Sequence, residues 1–316
     1  MKYRFHTCAE LEANLREGGL SVEDYAVKRE AFIAGIPESE VCGELDRRIG
    51  VTRASLIRGL ESPQVSRSGL TRGAALAFAG AERGLVRDGL FRRAVSYALA
   101  INEVNACGGK IVSFPTAGSS GIVPGLIWAW WDSRAKAGEA SPGAGSPDSA
   151  VPGAPPPMLE APYDRKLRGA FLVAGLTGVL IAQGATLAGS EGGCQAECGG
   201  AGAMGASALA YLEEQPLEGC FSAAALSLKN SLGLACDPVA GLVEVPCVKR
   251  NAFVAVNALL AVDLTLAGIQ SIIPFDEVVW AMKQIGDSMP AALRETAGGG
   301  LALTPTGLSF REKTDA

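Results

Sequence analysis

The stretch Asp88-Gly-Leu-Phe-Arg-Arg-Ala-Val-Ser-Tyr-Ala-Leu-Ala-Ile-Asn-Glu-Val-Asn-Ala-Cys-Gly-Gly109 decides the fold class. Leu90, Phe91, Ala94, Val95, Ala98 and Leu99 fall on one face at 3.6-residue spacing, and the two glycines supply a stop. The same pattern recurs along the chain. Ser21 to Asp24 has the form of a capping box before Tyr25, Val27, Ala31 and Phe32, and Pro37 suits the first turn of a helix running toward Leu60. Alternating Val, Ile and Thr are scarce, and Lys110 to Phe114 is the one plausible short strand. The expectation is an all-α, multi-helix globular protein with buried apolar helices and no internal repeat or coiled coil.

A chain of 316 residues with 48% hydrophobic content can bury a large core, as one large domain or two intimate ones. We read residues 1–65 as an N-terminal helical segment and 66–316 as the main domain. Between Ser133 and Pro162 the composition falls to Ala, Gly, Pro and Ser, ending in Pro155-Pro156-Pro157, which predicts a disordered surface insertion over 133–162. With 33 acidic and 28 basic residues and no basic block, there is no footprint for nucleic acid or an anionic membrane. Two apolar stretches, Phe171 to Gly189 and Ala252 to Ile273, approach the length of a bilayer span. Thr177 and Gln183 interrupt the first, Asn257, Asp263 and Gln270 the second, and neither has an aromatic belt. They read as buried core helices, with a membrane transporter or anchor as the alternative. The first ten residues lack an apolar signal region, so the expected location is cytoplasmic.

Eight cysteines in such a chain are thiols or metal ligands rather than a disulfide framework. Cys236-Asp-Pro-Val-Ala-Gly-Leu-Val-Glu-Val-Pro-Cys247 holds two prolines and a glycine, so it must loop, between helices ending near Leu234 and starting near Lys249. A loop with a cysteine at each end is a natural claw for a metal centre. A third arm is offered by Glu191-Gly-Gly-Cys194-Gln-Ala-Glu-Cys198-Gly199. Spacing alone leaves core packing open as an equal alternative, and the Cys194/Cys198 pair also suits zinc. Cys8, Cys42, Cys107 and Cys220 read as packing residues. Lys249 and Arg250, near a helix start, and the hydroxyls of Thr116, Ser119 and Ser120 around Gly118 are candidate anion-binding groups. The single histidine, His6, reads as a surface residue.

These passages also carry a resemblance. The Cys236 loop running into Val248-Lys-Arg-Asn251, Gly193-Cys-Gln-Ala-Glu197, Phe114-Pro-Thr-Ala-Gly-Ser-Ser-Gly-Ile-Val-Pro-Gly125, and Leu293-Arg-Glu-Thr296 through Thr304-Pro-Thr-Gly307 resemble the α subunit of iron-sulfur L-serine dehydratases. The resemblance covers most of the chain from about residue 65. It implies L-serine as substrate, pyruvate and ammonia as products, and a 4Fe-4S cluster on Cys194, Cys236 and Cys247 with one open iron. Cys198 is incidental on that reading. It also implies a separate β subunit, because the Ser-His-Thr motif of related single-chain enzymes is missing, and the general base with it. Arg72 stands where the family pattern has glycine, and Asn105 to Gly109 also departs from it. The rivals are a pyridoxal-phosphate dehydratase, suggested by Gly298-Gly-Gly-Leu301 but contradicted by the helical pattern, and a related open-iron hydro-lyase or cysteine desulfidase.

Overall fold

The computed structural model describes residues 3–136 and 155–314. Thirteen α-helices occur among them: α1 Cys8–Gly18, α2 Val22–Ala34, α3 Glu38–Glu61, α4 Ala74–Ala79, α5 Gly89–Ala106, α6 Ile122–Lys136, α7 Arg165–Gly184, α8 Gly189–Gly192, α9 Gly200–Leu212, α10 Leu217–Lys229, α11 Cys247–Leu266, α12 Phe275–Ser288 and α13 Pro305–Thr314. No strand forms among the described residues, only the isolated bridges Val65–Arg72 and Cys236–Arg294. The expected strand at Lys110 to Phe114 is irregular instead. It has no neighbouring strand to complete a ladder, and without that pairing β-propensity alone does not hold a strand.

Local sequence sets the helix starts. Ser21 Oγ accepts from Asp24 N at 3.1 Å at the head of α2, and Asp88 Oδ1 accepts from Phe91 N at 2.9 Å at the head of α5. Each side chain satisfies one of the orphan amides of a first turn. Helix α5 ends at Ala106, and Gly108 follows at φ +73°.

The centre of the molecule is α9, Gly-Ala-Gly-Ala-Met-Gly-Ala-Ser-Ala-Leu-Ala-Tyr-Leu, in which every residue but Tyr211 is buried. Such small side chains let the neighbouring helices α6, α7, α10 and α11 pack closely around it. Helices α5 and α6 also cross tightly, because a Cβ on Gly125 would lie 2.8 Å from the Ala98 backbone nitrogen. The first apolar stretch falls largely in α7 and the second in α11 and the exposed chain after it, and both helices bury one side in this core. Helix α7 is the one described helix long and apolar enough to cross a membrane, and 61% of its apolar window is buried within the protein. The first three helices share that core through Leu11, Tyr25, Ile49 and Leu56.

The middle of the 133–162 insertion, residues 137–154, lies outside the described residues. Its flanks do not. Helix α6 continues to Lys136, and the Pro157 carbonyl accepts from buried Arg53 Nε at 3.0 Å. The same guanidinium forks onto Asp132 at 2.8 and 3.0 Å and lies 4.5 Å over the Trp128 ring, so the chain re-enters the fold on a satisfied charge.

Candidate functional site

Four segments meet at the site. They are the turn from α8 into α9, the loop between α10 and α11, the loop before α6, and the chain after α12. Cys194 precedes a π-helical turn, Gln195–Gly199, which runs directly into α9. Gly193 at φ +74° makes the preceding bend, and a side chain there would also strike Met289. This third cysteine arm is therefore helical despite its glycines. Burial against Leu228, Ser231 and Leu234 outweighs the low helix propensity of its glycines. Cys247 is the first residue of α11, two residues earlier than expected, with Pro246 as the residue before it.

Cys194, Cys198, Cys236 and Cys247 are all buried. The Cys194 thiol is held well below its usual pKa by hydrogen bonds with Cys198 and Cys236, with the Arg250 guanidinium adding to the effect. Cys198 and Cys236 are correspondingly raised by hydrogen bonding to Cys194 and by burial. Cys247 is pushed up to about 12, first by burial and then by the charge on Cys194. The three cysteines expected to act together thus share one pocket, and Cys198, read as incidental, lies in contact with Cys194. The other four cysteines are free thiols elsewhere. Burial pushes Cys220 up to about 12, which fits a packing residue.

Arg250 is committed to this pocket. Its Nη1 donates to the Ala235 carbonyl at 2.8 Å, and Nη2 stands 3.7 Å from Asp237 Oδ1. Lys249 is exposed and, together with Arg250, lines an open cleft of about 550 Å³ with Asn230, Leu232, Phe253 and Asn257.

The Thr116–Ser120 loop is pinned from behind. Asn251, fully buried, donates to the carbonyls of Gly118 at 2.7 Å and Cys247 at 2.9 Å, and accepts from Gly121 N at 3.0 Å. Asn102 donates to Gly118 O at 3.0 Å. Ser119 and Ser120 are fully buried, and Ser119 Oγ donates to the Phe114 carbonyl at 2.9 Å, so these hydroxyls hold the loop. Thr116 is the member that reaches the pocket, through a hydrogen bond to the Glu197 carboxyl. That carboxyl also accepts from Cys236 Sγ at 3.7 Å and is pushed up to about 7, chiefly by burial.

Two further walls were not visible as such in the sequence. Glu244 accepts from Ser68 Oγ at 2.7 Å and Thr71 Oγ1 at 2.6 Å, docking residues 66–71 onto the cysteine loop. Arg72, the departure from glycine, causes no strain, because the positive φ values there belong to Gly69 and Gly73. On the other side, Cys236 N donates to Leu293 O and Glu295 N to Cys236 O, both at 2.8 Å. Leu301 N donates to Asp237 Oδ2 at 2.9 Å, so the Gly298–Leu301 segment packs on the cysteine loop rather than forming a phosphate cradle.

The donor set suits an iron-sulfur cluster, since the thiols at the two ends of the α10–α11 loop converge with that of the turn before α9, one of them favoured as thiolate. Among the described residues no three His, Cys, Asp or Glu side chains are arranged to hold a single metal ion. A mononuclear zinc site needs tighter grouping, with Zn–S distances of about 2.3 Å.

The fold and pocket define a class, an all-α protein whose loops carry a buried thiol cluster with one guanidinium beside it. The family model for the serine dehydratase alpha chain matches residues 17–302. A Bacillus subtilis (strain 168) protein named probable L-serine dehydratase, alpha chain, is 39% identical over 315 residues, covering 98% of this chain and 95% of its own. The L-serine dehydratase alpha chain of Peptoniphilus asaccharolyticus is 38% identical over 310 residues, 97% of each chain. An L-serine dehydratase of Streptomyces coelicolor is 34% identical over 96% of this chain, which spans 62% of that longer protein. This chain belongs to the serine dehydratase alpha-chain family.

Proposed function

We propose that this chain is the cluster-bearing catalytic subunit of a cytoplasmic L-serine dehydratase, converting L-serine to pyruvate and ammonia, with Cys194, Cys236 and Cys247 holding a 4Fe-4S cluster. The convergence of these three thiols on one pocket carries the reading, and the names of the full-length relatives supply the substrate. Eight free thiols suit a reducing compartment.

When bound, such a cluster supplies an iron lacking a protein thiolate, a Lewis acid where charge develops on the departing hydroxyl. The chain does the rest. Arg250 offsets the negative charge gathered at Cys194 and ties the guanidinium to the backbone of the cysteine loop. Asn251 fixes the Thr116 loop at a set distance from Cys247. Burial of all four thiols keeps water from them. A base for the Cα proton is not supplied by His6, which is exposed near the N-terminus. We assign the base to a β subunit, a partner for which the words "alpha chain" in the relatives' names and the greater length of the Streptomyces protein both speak.

Anaerobic co-production with a β subunit tests the reading, with pyruvate assay and iron counting for wild type and for Cys194→Ala, Cys198→Ala, Cys236→Ala and Cys247→Ala. Cys198→Ala is expected to keep its iron, and the other three to lose iron and activity together. A Cys236→Ala protein that keeps both would overturn the ligand assignment. Parallel assays with L-cysteine and L-threonine separate a dehydratase from a desulfidase.

A further inference from the structure

Resting on the serine reading above, we infer that Arg294 binds the substrate carboxylate, a role for which Arg250 is already committed elsewhere. Arg294 lies opposite Cys236 in a parallel bridge. Paired residues of adjacent extended segments project their side chains to the same face, so the guanidinium and the Cys236 thiol leave the backbone on one side. The guanidinium is also uncommitted. Its Nε is buried without a hydrogen-bond partner, and Nη1 makes only a long 3.4 Å contact to the Glu191 carbonyl, three residues before Cys194. No carboxylate among the described residues lies within salt-bridge distance of it.

Native proteins seldom leave a buried guanidinium nitrogen unpaired, and an anion absent from the protein itself is the natural partner. The fork geometry of arginine matches a carboxylate, whose two oxygens would satisfy Nε and one Nη together. Arg250 cannot serve in this way, being spent on Ala235, Asp237 and Cys194. The backbone around Arg294 is held with force. Glu295 and Ala297 sit at φ +64° and +51°, left-handed conformations unfavourable for both residue types, while Cys236 pairs on either side of Arg294. Strain of this kind persists where surrounding structure over-determines a position, and it concentrates at ligand clamps.

The test uses the anaerobically prepared α–β enzyme with Arg294→Gln and Arg294→Lys. Arg294→Gln is expected to raise KM for L-serine roughly 10- to 100-fold, the range for loss of a charge-assisted pair. Its iron content and visible spectrum should match wild type, with kcat changed far less than KM. Arg294→Lys, which keeps the charge but not the fork, should fall between. Calorimetric titration with L-alanine, which has the carboxylate but no leaving hydroxyl, should show binding to wild type and not to Arg294→Gln. Ethanolamine, which lacks the carboxylate, should inhibit both equally. Should either variant fold poorly, protection of Arg294 by L-alanine against phenylglyoxal in the wild-type enzyme decides the matter, and no protection removes the inference. Wild-type KM and L-alanine affinity in Arg294→Gln would remove it as well, leaving the serine reading intact. A wild-type enzyme that makes no pyruvate from L-serine would instead remove the proposed function, and this inference with it.

Discussion

Asn251 shows how much of the site rests on one amide. It joins the head of α11 to the Thr116 loop through both ends of its side chain. Asn251→Ala would leave Gly121 N without its acceptor and take one donor each from the Gly118 and Cys247 carbonyls, Gly118 O keeping Asn102, a cost of roughly 1–3 kcal/mol. Asn251→Asp is the sharper probe, because it keeps the volume and turns a donor into an acceptor facing the carbonyls of Gly118 and Cys247. Both variants are expected to unfold at lower denaturant concentration, and Asp should be no milder than Ala. An Asp variant as stable as wild type would show that volume, not hydrogen bonding, matters there. The cysteines could be read from the sequence because loop-forming residues flank them and because the surrounding motifs resemble a known family. Asn251 appeared in one such motif without a role, since its partners at Gly118 and Gly121 come from a distant loop. Arg294 was equally silent, as nothing local marks a guanidinium whose position is set by pairing with Cys236.

At the level of the helix, legibility followed the caps. Helix α2 begins where the Ser21 capping box places it, because capping is a contact between near neighbours in sequence, and α5 follows its apolar periodicity. The π-helical turn at Gln195–Gly199 could not be foreseen, since glycine-rich sequence reads as loop and only burial winds it. One of the polar residues read as interrupting the second apolar stretch, Asp263 in α11, has a cost. Asp263 has a raised pKa, from burial first and then from the charges of Asp88 and Glu213. A carboxyl whose folded pKa lies above its unfolded one favours the native state when protonated. That contribution is complete below the unfolded value near 3.8 and disappears as pH rises through the folded value. Asp263→Asn should therefore melt slightly higher than wild type at pH 7, with the advantage vanishing below pH of about 3.8. Melting curves across that range check it, and an advantage that persists in acid would contradict the assignment.

For the molecule as a whole, the pocket draws on segments from residue 66 to residue 301, so its occupancy should register in global stability. A ligand that binds only the folded chain stabilises it by mass action. If the proposed cluster is bound, its removal by oxygen and chelator is expected to lower Tm by a few degrees or more, since each kcal/mol is worth about 2–4 °C in a chain of this order of size. Cys198→Ala should show the same drop on cluster removal, and Cys236→Ala none, because it starts without one. An all-α fold with a buried α7 was visible in composition and periodicity. The central place of α9 was not, because a run of Ala, Gly and Ser carries little hydrophobic signal until neighbouring helices close upon it.

The pairing of Cys236 with residues 293–295 also fixes an order of events during synthesis. A ribosome releases the chain from its N-terminal end, so Cys194, Cys236 and Cys247 emerge while the segment that walls them is still being made. Until residues 291–301 arrive, the Cys236 amide and the Asp237 carboxylate lack the partners they have in the finished protein. On the proposed cluster reading, the metal centre would be completed only after residues 291–301 are made, and a chain stalled before Leu293 would lack the backbone pairing that holds Cys236.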